Sequence, residues 1–413
     1  MVVIEQLLKL HRQLRLSLFL VLLAGFYGCA HNNTLTETET WAQSVIDYRY
    51  SLPTEHPNQV DTLFSISREM RQEVTRRFSS MQKQKAASSL ARWLIDDQGH
   101  NMEYDINANL TPRESFAEQR GNCLSFTLLL TALAETIDIK IELNAVDIPD
   151  TWGLDEEIGM VFYRHVNGVL RTRGKKQVFD LAMERYDAGY PQRYISRDEA
   201  LGLFLNNLAI DELGANKLSR AVHPLKLAIS YSPKNPDLWA NLGVVMKRLA
   251  KFKQAEEAFL FAYELNKYHV PAVSNLERFY LEQGAPRKAA AYAKKAKRAR
   301  KANPYYHFQI AQSEYQKEHY TKAQRRIKLA INLHSKDPRF FELKSRIEQQ
   351  QHNYRSAIES LAEAHRISYS AEQKDRYFDK AKLVSQRAVE EFKKRQSLNR
   401  GSGNNQWKAR NGI

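Results

Sequence analysis

Two cysteines occur in the 413 residues, Cys29 and Cys123, and the second has surroundings that suit a nucleophilic thiol. Residues 116 to 123 read Phe-Ala-Glu-Gln-Arg-Gly-Asn-Cys, and an apolar run from Leu124 to Glu135 follows, so Cys123 stands where a glycine-containing loop enters a buried helix. The positive end of a helix dipole there favours a thiolate over a thiol. Later in the chain come an imidazole, His165, in Met160 to Val166, and a carboxylate, Asp180, in Gln177-Val-Phe-Asp-Leu181. Taken singly, each has a plain alternative: Cys123 as a small apolar core residue, His165 as a strand histidine, Asp180 as a turn residue. The other histidines show no ligand spacing, so no metal and no cofactor are expected. There is also no glycine-rich phosphate loop.

The elements that must position these groups form an α+β pattern. Asp61 to Trp93 reads as helices, with Leu63, Ile66, Met70 and Val74 on one face. Thr111 is a plausible N-cap, with Pro112 in the first turn of the next helix. Lys140 to Val146 alternates like a strand, and Pro149-Asp150-Thr151 opens a loop running to about Gly159. Met160 to Val166 reads as a second strand, Asn167-Gly168 as a turn into a third, and Gln177 to Leu181 as a fourth.

The order Cys123, His165, Asp180, with Arg120-Gly121-Asn122 before the thiol and Val178-Phe179 before the carboxylate, resembles the transglutaminase-like branch of the papain-like superfamily over roughly Thr111 to Leu181. Val166 and Leu181 stand where that family often has an aromatic residue and Pro. The resemblance implies a Cys heading a helix, with His and Asp on neighbouring strands of a sheet packed against it. It also implies roles: Cys123 as nucleophile, His165 as the base that later protonates the leaving amine, and Asp180 as the group orienting the imidazole.

The second half repeats. Ala221, Ala255, Ala289, Ala323 and Ala357 lie 34 residues apart without a slip, and Ala228, Ala262, Ala296, Ala330 and Ala364 form a parallel column. Leu208, Leu242, Leu276 and Ile310 mark one position of the first helix of a unit, with Ala209, Gly243 and Ala311 next to it. Two alanine columns suit helices crossing so closely that only a methyl group fits. Each helical hairpin has an apolar face that it can bury only on a neighbour. The pattern resembles the tetratricopeptide (TPR) repeat over Gly202 to Ser370. The expected fold is therefore an α+β transglutaminase-like domain followed by an all-α TPR solenoid.

In such a solenoid the concave surface, lined by the first helices, would present Lys247, Arg248, Arg278, Tyr305, Phe308 and Tyr315 to a protein or peptide partner. The second helix of the third unit concentrates Arg287, Lys288, Lys294, Lys295, Lys297, Arg298, Arg300 and Lys301 without an acid, a solvated face or a contact for anionic lipid.

A charge of +15 would suggest nucleic acid for a cytosolic protein, but the N-terminus argues for export and no nucleic-acid partner is expected. Lys9, Arg12 and Arg15 precede the largely apolar Leu16 to Phe26, the pattern of a secretion signal and too short to span a bilayer comfortably. Phe26-Tyr27-Gly28-Cys29 then resembles the lipobox of bacterial lipoproteins, which implies acylation of Cys29, a membrane anchor and, with Ala30 next, the outer membrane. An acylated Cys29 leaves Cys123 without an intramolecular partner in an oxidising compartment, a liability that invites a chemical explanation.

The expected organisation is a signal peptide at 1–28, a linker and N-terminal segment at 29–60, the transglutaminase-like domain with its N-terminal helices at 61–201, five repeats at 202–370, a capping helix at 371–397 and a disordered tail at 398–413. The expected function is that of an envelope-anchored thiol acyl-transfer enzyme, a cysteine protease or amidase, with a TPR array for protein binding. The alternative is a catalytically silent scaffold lipoprotein for envelope complex assembly.

Overall fold

The structure, a computed structural model, describes residues 35–52, 59–147, 152–155, 159–162, 165–172, 175–182, 186, 190–368 and 371–411. Cys29 and the segment expected to be a signal peptide lie outside the described residues. Among the described residues no helix is long and apolar enough to cross a membrane. The chain divides into two compact units, Met1–Ser44 and Val45–Ile413. The described residues of the first unit belong to helix α1 (Leu35–Ile46). All that follows concerns the second.

Its first half packs helices on a small antiparallel sheet. After α2 (Gln59–Leu63), helices α3 (Arg68–Phe78) and α4 (Lys83–Ile95) bury Met70, Val74 and Phe78 from one and Leu90 and Leu94 from the other. They share this core with Phe126, Leu129, Leu130 and Leu133 of α6 (Cys123–Glu135). A continuous apolar helix such as α6 must be covered on all sides. Helices α3 and α4 supply one cover, and the sheet supplies the other through Leu170 and Phe179. A short parallel pair, β1 (Glu103–Tyr104) and β2 (Arg120–Gly121), flanks α5 (Pro112–Glu118). Thr111 caps α5 with a reciprocal bond to Glu114, as its sequence suggests. The expected linker is in part anchored, because the Tyr48 hydroxyl lies 2.9 Å from His223 Nδ1.

The four-stranded sheet has the order β7 (Lys175–Phe179), β6 (His165–Thr172), β3 (Glu142–Val146), β8 (Gln192–Tyr194), every neighbour antiparallel. Two expectations need correction here. Asn167-Gly168 is no turn, because both residues lie inside the continuous strand β6, paired with Asn144 and Leu143. Gly168 is required by packing instead: a Cβ there would lie 2.8 Å from Ile141 Cγ2. The expected loop from Asp150 to Gly159 contains a strand, β4 (Trp152–Asp155), which forms a hairpin with β5 (Gly159–Phe162). Met160 therefore belongs to that hairpin and His165 to β6, and residues 163 and 164, between them, lie outside the described ones.

The second half is a tetratricopeptide-like solenoid of five antiparallel hairpins: α7 (Arg197–Gly214) with α8 (Leu218–Tyr231), α9 (Pro236–Arg248) with α10 (Phe252–Leu265), α11 (Val270–Glu282) with α12 (Pro286–Lys301), α13 (Pro304–Gln316) with α14 (Tyr320–Leu333), and α15 (Pro338–Gln350) with α16 (Tyr354–Ile367). All ten alanines of the two columns are buried. At Gly243, a Cβ would lie 2.5 Å from the Phe259 ring, so this crossing excludes even a methyl group. Of the helix markers, Leu242 and Leu276 are buried, whereas Leu208 is exposed. The last helix, α17 (Ala371–Asn411), covers the final hairpin with Tyr377 and Val384. It continues through Gly401 and Gly403, beyond the 371–397 expected of a capping helix. Each glycine costs about 1 kcal/mol in a helix interior, but propagating an existing helix needs no new nucleus.

Candidate active site

Local sequence fixes the start of α6. Gln119 takes a left-handed conformation, φ 52°, and ends α5. Arg120-Gly121 then runs as β2, and Asn122 becomes the N-cap of α6, its Oδ1 accepting from Ser125 N at 2.9 Å. Gly121 is needed because a Cβ there would lie 2.7 Å from Met102 Cε and 2.9 Å from Ser125 Cβ. Arg120 holds the strand from outside through Asp105 at 2.7 Å and Glu118 at 2.7 Å. Ser125 Oγ donates to Ala108 O and accepts from Leu110 N, which ties the first turn of α6 to the preceding loop. Cys123 is thus the first residue of the helix, held from three directions.

The fold brings Cys123, His165 and Asp180 together. One ligand-capable atom from each, the thiol sulfur, a ring nitrogen and a carboxylate oxygen, all lie within 4.8 Å of one another. The three residues are 7%, 8% and 3% exposed. His165 opens β6, and Asp180 follows the last residue of β7, so adjacent strands present the pair. His165 Nε2 lies 2.5 Å from Asp180 Oδ2. Thr127 Oγ1, 2.7 Å from Cys123 O and 3.2 Å from Val166 O, joins the first turn of α6 to the strand that carries the histidine.

Further residues that the sequence reading passed over hold Asp180. Its Oδ1 accepts from Ala182 N at 3.0 Å, and its Oδ2 also accepts from Asn167 Nδ2 at 3.3 Å. Asn167 Oδ1 accepts in turn from Asn144 Nδ2, which also reaches Gln192 Oε1. Gln192 Oε1 accepts as well from Lys176 Nζ at 2.7 Å and Tyr186 OH at 3.2 Å. Asn144 and Asn167 are buried cross-strand partners. Two polar residues at inward strand positions were the available signal, hidden because Asn167-Gly168 reads as a turn.

Three such donors also suit a metal, but the spacing favours a proton. Ligand atoms about 2.0–2.1 Å from a tetrahedral ion lie roughly 3.3 Å apart. The 2.5 Å between imidazole and carboxylate is instead that of a short charge-assisted hydrogen bond.

The six residues expected to line the groove divide into two groups. Lys247 and Arg278 both pair with Glu282 at 2.9 Å, and Arg248 donates to Leu213 O and Asn216 Oδ1 of the preceding hairpin. Lys247 and Arg248 tie neighbouring units together, whereas the Arg278 pair lies within α11. Strand β5 runs alongside α9 and α11, which carry these three residues. Tyr305 and Phe308, by contrast, line a cavity of ≈ 280 Å³ between α13 and α15, with Gln309, Gln312, Arg339 and Arg346. Tyr315 sits beside it, with the Arg346 guanidinium 4.8 Å from its ring centroid.

No protein-family model matches the chain, and no curated protein matches it. Among solved structures it is similar to MamA residues 41 to the end from Desulfovibrio magneticus RS-1, at 14% identity, covering 40% of this chain and 94% of that one, with a TM-score of 0.23. It is similar to YrrB, described as a TPR protein with an unusual peptide-binding site, at 16% identity over 43% and 92% of the two chains, TM-score 0.23. Pseudomonas aeruginosa pilF is similar at 16% identity over 49% and 88%, TM-score 0.25. With TM-scores this low, the solenoid rests on the chain's own 34-residue repeat and helix pairing.

Proposed function

We propose that this chain is a thiol acyl-transfer enzyme, a cysteine protease or amidase of the transglutaminase-like type, whose TPR array captures a protein or peptide. The observation that carries the reading is the convergence of a helix-heading thiol, an imidazole and a buried carboxylate within 4.8 Å. Asp180 Oδ2 accepts a hydrogen bond from His165 Nε2–H, which leaves Nδ1 as the base toward Cys123. The thiolate of Cys123 attacks an acyl carbon, and the tetrahedral intermediate collapses to a thioester as imidazolium protonates the leaving amine. Water then releases the acid by the same base. The backbone N–H of Cys123, at the start of α6, is suited to stabilise the oxyanion. The cavity at Tyr305 and Phe308, with guanidinium and amide groups on its walls, suits a side chain of an extended peptide.

Alkylation of Cys123 by iodoacetamide tests the reading. The expected rate is high and persists well below the ordinary thiol range of about 8.5, and His165→Ala abolishes the acid-side reactivity. The envelope location and the Cys29 anchor belong to the same proposal, tested by metabolic labelling with a fatty acid analogue in the native chain and in Cys29→Ser.

A second reading, a catalytically silent scaffold, is favoured by the burial of Cys123 and by the sheet domain's own contacts with the array. A thiol that reacts only after unfolding would select it.

A further inference from the structure

The second helices of the third and fourth hairpins, α12 and α14, contain no acidic residue. Their counterparts on either side differ: α10 carries Glu256, Glu257 and Glu264, and α16 carries Glu359 and Glu363. The positive charge is therefore concentrated in this stretch of the solenoid, although α8, with Arg220 and Lys226, also lacks an acidic residue. Some of it is already engaged, with Lys288 3.3 Å from Glu256 and Lys295 over the Tyr292 ring. Arg287, Lys294, Lys297, Arg300 and Lys301 have no ion-pair partner among the described residues, and neither have Lys322, Arg325 and Lys328 of α14. Lys294, Lys297 and Lys301 are spaced i, i+3, i+7, so they share one exposed face.

Two apolar side chains are exposed on α14 among its own basic residues. Leu329 and Leu333 are 44% and 47% exposed, and with Arg325 they follow at i, i+4, i+8 on one face of α14. The first helices of the hairpins carry the contacts with the sheet domain, through Tyr305 of α13 and Phe340 of α15. The same cluster takes in Ala323, Ile327 and Ala330 from one face of α14, while Arg325, Leu329 and Leu333 lie on its exposed face.

We propose that the α12–α14 ridge is a docking surface for an anionic phospholipid bilayer. Uncompensated lysines and arginines attract lipid phosphates, and the leucines enter the interfacial region, where an exposed aliphatic side chain gains by leaving water. A polyphosphate such as nucleic acid would use the charge but have no use for Leu329 and Leu333. This surface is separate from the proposed active site and does not depend on it.

The test is co-sedimentation of the full chain with phosphatidylcholine vesicles, with and without phosphatidylglycerol, at low and high salt. Lys9, Arg12 and Arg15 of the N-terminal segment also respond to anionic lipid, so the ridge variants below are compared with the unmodified chain in the same vesicles. Phosphatidylglycerol is expected to raise the bound fraction, and salt to reverse the gain. Lys294→Glu, Lys297→Glu and Lys301→Glu are each expected to lower partition about fivefold, the equivalent of about 1 kcal/mol per basic side chain. Leu329→Ser with Leu333→Ser is expected to weaken binding further at unchanged charge. Binding indifferent to phosphatidylglycerol overturns the proposal, and the unmodified chain alone gives that answer. Retained lipid binding in the serine variant, together with equal retention of duplex DNA, would assign the ridge to a polyanion instead.

Discussion

A buried carboxylate that orients a histidine is only as good as the groups that hold it. Asp180 has two: the amide of Ala182 on one oxygen and Asn167 on the other, with Asn144 and Gln192 behind. Asn167→Ala removes one of these bonds and leaves Asn144 Nδ2 with Gln192 alone. The expected result is a loss of about 1–3 kcal/mol of stability, the usual consequence of leaving buried polar groups unsatisfied. The alkylation rate of Cys123 is expected to keep its dependence on His165 but to fall on the acid side, because a less constrained Asp180 orients the imidazole less well. A variant with an unchanged pH profile and reduced stability would make Asn167 a structural residue only. Cys123, His165 and Asp180 were legible in the sequence because each has a type that chemistry needs and a helix or strand pattern around it. Asn144 and Asn167 were not, since an amide has no such mark and Asn-Gly is also the strongest hairpin signal.

At the scale of the element, the alanine columns were legible because a close helix crossing leaves room for little else. The turns inside the hairpins were not. Asn216, Ala250, Gly284, Glu318 and His352, again 34 residues apart, all have φ between 57° and 67° where the first helix of each hairpin ends. One of the five is glycine, so the left-handed requirement leaves almost no trace in composition. A Cβ in this conformation costs roughly 1–2 kcal/mol, and Ala250 has no side-chain bond to offset it. Ala250→Gly is therefore expected to stabilise the array by about 1 kcal/mol, reduced somewhat by the extra freedom glycine gives the unfolded chain, as a higher denaturant midpoint would show.

The α5 region offers a pH test. His100 stacks on Phe116 with ring centroids 4.0 Å apart, and its Nε2 is 2.9 Å from Phe116 O. Burial pushes its pKa below 6.5, against a smaller opposite effect of that hydrogen bond and of Glu73. The unfolded chain then takes up a proton before the folded one does. Stability from this group is complete above about 6.5 and is lost as pH falls through the folded-state value. His100→Phe keeps the stack and is expected to flatten the acid side of the stability curve between about pH 7 and 5, measured by urea unfolding.

The largest scale concerns whether the sheet domain and the solenoid unfold as one body. Helical repeat arrays on their own behave as chains of nearest-neighbour units that fray from the ends. Here the array is clasped at both ends. Asn109 donates to Phe204 O of the first hairpin and accepts from Asn207. At the other end Tyr190, two residues before Gln192, lies among Tyr305, Phe340 and Val146. Its hydroxyl is 2.5 Å from Arg339 Nη1, and the guanidinium is 4.2 Å from its ring centroid. Arg339 is itself fixed by Asp337. Tyr190→Ala removes a buried ring from this joint, a loss of about 3–5 kcal/mol by the scale for large aromatic truncations, whereas Tyr190→Phe keeps the ring and removes the hydroxyl with its bond to Arg339, about 1.5–3 kcal/mol. In hydrogen exchange, Tyr190→Ala is expected to accelerate amides of α13 to α16 together with those of β8, while α7 and α8 keep their protection through Asn109. Because Gln192 leads through Asn144 and Asn167 to Asp180, the same variant is expected to lower the acid-side alkylation of Cys123. Exchange that rises only within a few residues of position 190 would mean that the joint fixes geometry without coupling the two halves. Faster exchange throughout the solenoid with an unaltered thiol would mean that the array depends on the sheet domain but does not report to its site.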